Sequence, residues 1–275
     1  GVLVFSGPGP YNRGRMSAKP WQLRILDKSL KKKEKLRLLE TGPAVPAGAL
    51  ALDLGCAQGI LSHRLRRRGG FWVHADQDFA NLTAARGVLP DRLVQTGPGR
   101  LPFRSGAFDV VAGLDYLEHL DDDETCLAEI ARILKPGGRV VLVTPHTGRF
   151  YLLHKLRPVL GMTLDHYGHK REGYGGAELA SKLERHGLRP TRSLTYSKFF
   201  SEFFELVINA AYVGILTRRR KRPGRRDGHI RPSDAAEFEA QARTFRIYGL
   251  VYPAVWLVSQ LDRLLFFMKG YSLMI

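Results

Sequence analysis

The chain has 275 residues, 44% of them hydrophobic and 25% charged, and a formal net charge of +17. That size and apolar content suffice for one large domain with a full core, plus additions. Two cysteines, Cys56 and Cys126, exclude a disulfide framework and a cysteine-built metal centre, and they suit a reducing compartment.

In chain order, Gly1 to Arg15 reads as a flexible leader. Val2 to Phe5 is too short for the apolar stretch of a signal peptide, and Met16 offers a natural start. Trp21 to Glu40 reads as one basic helix ending in the Gly/Pro linker TGPAVPAG. Trp21 and Leu23 on it supply apolar lid surface or plain packing. The positive charge is clustered at Lys28 to Arg37, Arg64 to Arg68 and, most densely, Arg218 to Arg226. Such runs are solvated faces or attract anionic partners, and long-range charge does not distinguish RNA from anionic lipid.

The stretch ALALDLGCAQG, Ala49 to Gly59, joins a buried strand to a helix through two glycines. Glycine suits a turn with φ > 0 that lets a ligand approach backbone N–H groups. A second apolar run, Phe71 to Ala75, closes on Asp76, about 20 residues on, where dinucleotide-type folds hold ribose hydroxyls. A helix (Phe79 to Leu89), a short strand (Arg92 to Thr96), LPFRSGAFDVVAGLDYLEHL (Leu101 to Leu120) and ILKPGGRVVLVTPH (Ile133 to His146) follow. Strands alternating with helices predict a mostly parallel sheet that binds ligands at its carboxyl ends.

In this order, these stretches resemble the class I S-adenosylmethionine-dependent methyltransferases, and specifically the ubiquinone/menaquinone-pathway type, from about Ala49 to Leu188. The resemblance implies a Rossmann-like α/β fold: a seven-stranded, mostly parallel sheet with helices on both faces and an antiparallel last strand. It implies S-adenosyl-L-methionine as cofactor. Asp53, Gly55, Cys56, Ala57 and Gly59 would cradle its methionine end, with Ala57 standing where the usual pattern has glycine. Asp76, followed by Gln77, would hold the ribose. The family's adenine-binding aspartate falls on Gly97, so backbone and packing would replace it. Asp115 would end the fourth strand beside the methionine end or the acceptor, with Glu118 and His119 at the mouth. Cys56 reads as a small packing residue.

Beyond His146, Arg149 to Leu160 reads as a short helix stopped by Gly161. A loop rich in His166, Tyr167, His169, Arg171 and Tyr174 leads to a helix at Ala177 to His186 and a strand at Arg189 to Lys198. His166 and His169 with Asp165 make no complete ligand set, so no metal is expected. Phe199 to Leu216 and Tyr248 to Phe267 are apolar at helical spacing but interrupted by Glu202, Glu205, Asn209, Gln260, Asp262 and Arg263. Each is too polar to span a membrane. With the basic run, they suit a peripheral anchor on an anionic membrane; packing on the sheet or on a second subunit is the alternative. Gly270 to Ile275 reads as the last strand. The organisation is then residues 1–48 as leader and basic helix, 49–198 with 270–275 as the cofactor-binding domain, and 199–269 as a helical basic and apolar insertion that meets the membrane.

Because a sulfonium methyl is already activated, the protein chiefly aligns the acceptor, and a hydroxyl or carbon acceptor must also lose a proton. His119, His146 and His166 are the candidate bases, with Asp115 beside them. The function expected is methylation of a hydrophobic or lipid-linked small molecule by a cytoplasmic, peripherally membrane-associated enzyme. The alternatives are an RNA methyltransferase, favoured by charge but lacking aromatic–basic interleaving, and a non-catalytic scaffold of the same fold.

Overall fold

A computed structural model describes residues 4–5, 19–97, 99–148, 152–219, 235–240 and 242–275. Its eight strands are β1 (Val4–Phe5), β2 (Leu50–Leu54), β3 (Phe71–Asp76), β4 (Leu93–Gln95), β5 (Phe108–Leu114), β6 (Leu134–Pro145), β7 (Leu194–Tyr196) and β8 (Ser272–Met274). They form one sheet in the order β1-β4-β3-β2-β5-β6-β8-β7. Strands β2 to β6 run parallel, and β8 is antiparallel to both β6 and β7. The seven expected strands are β2 to β8. The eighth, β1, pairs antiparallel with β4 within a stretch expected to be a loose leader.

Alternation along the strands decides which residues meet which layer. Leu52, Val111, Leu142 and Leu273 point to one face. There they pack with α5 (Asp123–Ile133) and α8 (Gly176–Arg185) through Leu127, Ile130, Leu179 and Leu183. Ala51, Val110, Ala112 and Met274 point to the other, against α1 (Trp21–Asp27) and α2 (Leu30–Glu40) through Leu26, Leu36 and Leu39. Each fully buried Leu or Val contributes about 1.5–3 kcal/mol, so these two layers set the fold.

The single helix expected over Trp21 to Glu40 is two. It breaks at Lys28, and Ser29 caps α2 by accepting the Lys32 N–H at 3.3 Å. The helix after the glycine turn is short: α3 (Ser62–Leu65), then a 3₁₀ turn at Arg66–Arg68. The remaining helices are α4 (Phe79–Ala85), α6 (Leu152–Leu156), α7 (Leu164–Tyr167), α9 (Phe199–Arg219), α10 (Ala235–Ala240) and α11 (Ala242–Ser259). Helices α9 to α11 lie in sequence between β7 and β8. Glu202 holds α9 to the body. It is fully buried and paired with Lys31 of α2 at 2.6 Å and with Arg157. Phe199, Phe203 and Val207 on the same helix stay exposed. No described helix is long and apolar enough to cross a membrane. The basic run beyond Arg219, most of the leader and the side chain of His166 lie outside the described residues.

Candidate active site

The sheet's strand order reverses beside β2, between β3 on one side and β5 on the other. Ligands of such sheets bind at the carboxyl ends there, and three carboxylates stand at those ends: Asp53 on β2, Asp76 on β3 and Asp115 just past β5. In a chain of net charge +17, this acidic group suits a cationic ligand.

The turn after β2 takes the predicted conformation, with Gly55 at φ +78 and Gly59 at φ +76. The structure adds a second reason for both glycines. A Cβ on Gly55 would lie 2.3 Å from the Tyr116 ring, and one on Gly59 would lie 2.9 Å from Val88. Ala57 also sits in the left-handed region, at φ +46. Its N–H donates to Asp76 Oδ2 at 2.7 Å. Oδ1 of Asp76 accepts from the Asp78 N–H and the Asn81 amide, at 2.9 and 3.1 Å. Burial raises the Asp76 pKa against these three bonds. One acceptor direction of Oδ2 is then left for a ligand hydroxyl.

The other expected cofactor residues divide. Asp53 is buried and bonded to His74 Nδ1 at 3.0 Å, which makes it an orienting group of the turn. Cys56 is buried and its thiol pKa is pushed well up, so it packs as expected. Gln77 donates to the Tyr116 hydroxyl at 2.9 Å and so braces the ring beneath Gly55. A Cβ on Gly97 would meet nothing within 4 Å, so there is room at the adenine-side position.

Asp115, at φ +55, turns its carboxylate outward with about 49% of the side chain accessible. It is paired with Lys35 of α2, itself nearly buried. Crowding by protein raises the Asp115 pKa, and the Lys35 charge overrides this and holds it below the ordinary range. Sequence reasoning missed Lys35, because within a basic run nothing marks the one lysine that turns inward.

Glu118 is fully buried, and among the described residues neither carboxylate oxygen has a hydrogen-bond partner of good geometry, although the Thr144 hydroxyl favours its charged form. Burial, then the Asp115 charge, raise its pKa to about 8. Beside it, His119 Nδ1 is 3.0 Å from the Gly168 carbonyl, which can only accept, so Nδ1 carries the proton and Nε2 holds the lone pair. Burial lowers the His119 pKa, leaving the ring neutral near pH 7. His169 packs edge-on against His119 at 4.7 Å, and burial lowers its pKa to about 3. Its loop is tied down by Lys170 N–H to the Glu118 carbonyl, Arg171 to Asp123 and Tyr174 to Asp123, all at 2.7 to 2.8 Å.

Donor atoms of Glu118, His119 and His169 lie within 4.8 Å of one another, a two-histidine, one-carboxylate set able to take a divalent cation. The expectation of no metal was drawn from the His166–His169 pair, and the His166 side chain lies outside the described residues. That expectation misses this group because Glu118 and His169 are about 50 residues apart in sequence. His146 is buried at the end of β6, bonded through Nδ1 to the Gly270 carbonyl at 2.9 Å, and is not in that group. His166 lies in α7.

Residues 52–142 match a family described as a methyltransferase domain. A ubiquinone biosynthesis O-methyltransferase of Pseudomonas paraeruginosa is 38% identical over 104 residues, 36% of this chain and 45% of that protein. One of Escherichia coli O9:H4 (strain HS) is 30% identical over 154 residues, 50% of this chain and 64% of that protein. The chain thus spans about half the length of the curated relatives it matches. Among solved structures, Haemonchus contortus phosphoethanolamine N-methyltransferase 2 in complex with S-adenosyl-L-methionine aligns with a TM-score of 0.54 at 14% identity. The match covers 96% of this chain and 60% of that one.

Proposed function

For a chain whose residues 52–142 match a methyltransferase-domain family and whose fold aligns with that of a solved methyltransferase, we propose S-adenosylmethionine-dependent methylation of a hydrophobic acceptor at a membrane surface. The observation that carries this reading is the set of Asp53, Asp76 and Asp115 at three adjacent strand ends around the left-handed glycine turn. Those residues fit the cofactor. Asp76 has an acceptor direction for a ribose hydroxyl, Gly97 leaves room on the adenine side, and the acidic group complements a sulfonium and an ammonium. Bound there, the cofactor supplies an activated methyl group.

The chain's own residues do the rest. Asp115 and Lys35 fix the charge at the mouth. His119, neutral and with its Nε2 lone pair free of the Gly168 bond, takes the acceptor's proton. The O-methylation named for the relatives favours an oxygen acceptor of the quinone class. The membrane reading rests on the exposed apolar residues of α9, α11 and the turn after it, among them Phe199, Phe203, Leu250, Trp256, Phe266 and Phe267. With it we propose a cytoplasmic enzyme held peripherally on an anionic membrane surface.

Calorimetry with S-adenosylmethionine tests the cofactor site. Asp76→Ala should weaken binding by about 1.5–3 kcal/mol, the loss of hydrogen bonds to a charged acceptor. Wild-type affinity in a folded variant sinks the assignment. Labelled methyl transfer to lipid extracts then identifies the acceptor.

A further inference from the structure

At the opposite end of the sheet from the three aspartates lies a cavity of about 310 Å³. Its floor is apolar: Val110, Val141, Leu194 and Met274 from the strands, with Leu38 and Leu39 of α2 as one wall. Four arginines stand at its rim, Arg68, Arg139, Arg189 and Arg192. Arg68 is committed to the Gly42 and Pro43 carbonyls, at 2.9 and 2.8 Å, and Arg192 to the Thr41 hydroxyl at 3.2 Å. Arg139 and Arg189 are exposed, and among the described residues neither guanidinium group makes a hydrogen bond or ion pair. The rim therefore carries two guanidinium groups without a side-chain partner among the described residues. Burial lowers the Arg68 pKa, with the charge of Arg139 adding to this and that of Glu40 opposing it.

An apolar cavity at the small end of the usual ligand range of about 300–1,000 Å³, rimmed by unpaired guanidinium groups, matches one kind of molecule. It would put an alkyl chain against the floor and an anionic head among the arginines. Each methylene taken out of water adds about 0.8 kcal/mol, and guanidinium grips carboxylate in a two-pronged bond. We propose that this cavity is a second binding site, for a single-chain anionic amphiphile, specifically a long-chain carboxylate. The site shares no residue with the strand ends that carry Asp53, Asp76 and Asp115, and the proposal stands whether or not the methyl-transfer reading does.

Calorimetry of the full chain with laurate below its micellar concentration tests it. One laurate should bind per chain. Arg139→Ser with Arg189→Ser, both at exposed positions, should weaken binding at least tenfold. Thr191→Trp, which fills the cavity from its exposed lip, should do the same through the apolar part. Melting temperatures establish that both variants are folded. Dodecanol and inorganic phosphate should each bind at least tenfold more weakly than laurate. The proposal is overturned if laurate fails to saturate, if neither variant changes its affinity, or if either control matches it. A match by phosphate would leave only an anion patch, and a match by dodecanol only a greasy hollow.

Discussion

At Gly97 an added side chain would enter open space on the adenine side of the cleft, where the resembling enzymes carry an aspartate. Gly97→Asp should therefore tighten S-adenosylmethionine binding by about tenfold, the worth of one hydrogen bond to a charged group. Unchanged affinity by calorimetry would mean that adenine lies elsewhere. His119 permits an equally local test, because its two nitrogens have separate duties. Nδ1 holds the Gly168 carbonyl, and Nε2 is the candidate base. In His119→Asn an amide replaces Nδ1 as donor and no base remains. Turnover should fall on the order of 10²–10⁴-fold while cofactor affinity stays near that of the wild type. Turnover within a few-fold of wild type would make the histidine structural.

The helices around the site depend on buried ion pairs as well as on apolar packing. Glu202 joins α9 to α2 and α6 through Lys31, Arg157 and, at 3.9 Å, His154. Burial, reinforced by Arg157, lowers the His154 pKa from 6.5 to about 4. As pH falls the unfolded chain takes this proton first, so protonation favours unfolding. The His154 contribution is full above about pH 6.5 and is lost between about 6.5 and 4. The Glu202 carboxyl, lowered despite its burial by Lys31 and Arg157, titrates below the ordinary glutamate range and adds a further loss only under more acid conditions. His154→Gln should therefore flatten the decline of stability between pH 6.5 and about 4, by about 3 kcal/mol. Urea unfolding across that window measures it. A wild-type curve with the same slope as the variant would show that His154 is not the group responsible.

Among the described residues, most of the exposed large apolar side chains lie on α9, on α11 and in the segment after it. Phe266 and Phe267, at 85% and 77% exposure, follow α11, which itself exposes Leu250 and Leu257. A surface of this kind on a chain of net charge +17 should bind anionic vesicles more strongly than zwitterionic ones, with partial reversal by salt. Phe266→Ser with Phe267→Ser should reduce the salt-resistant part of vesicle sedimentation by at least half. Tight RNA binding with no response to vesicles would overturn the membrane reading.

Local pattern was enough for the central domain. The run ALALDLG, the acid closing FWVHA and the alternation along FDVVAGL each specify a strand and its two faces. The parallel order then follows from the short helical connections between them. The glycine turn, Asp76 and Asp115 were legible for the same reason: a strand's end and the turn after it are set by neighbours in sequence. The break at Lys28 was not, because propensity alone allows a continuous helix and only packing on the sheet made two. Nor was the inward turn of Lys35, the meeting of Glu118 with His169, or the burial of Glu202. In each of these, the partner lies tens of residues away or more, and a charged side chain has no periodic signature that tells a solvated face from a buried pair. The sequence determined the chemistry available at the strand ends. Which charges were drawn out of water to surround it was decided only when the distant helices closed on the sheet.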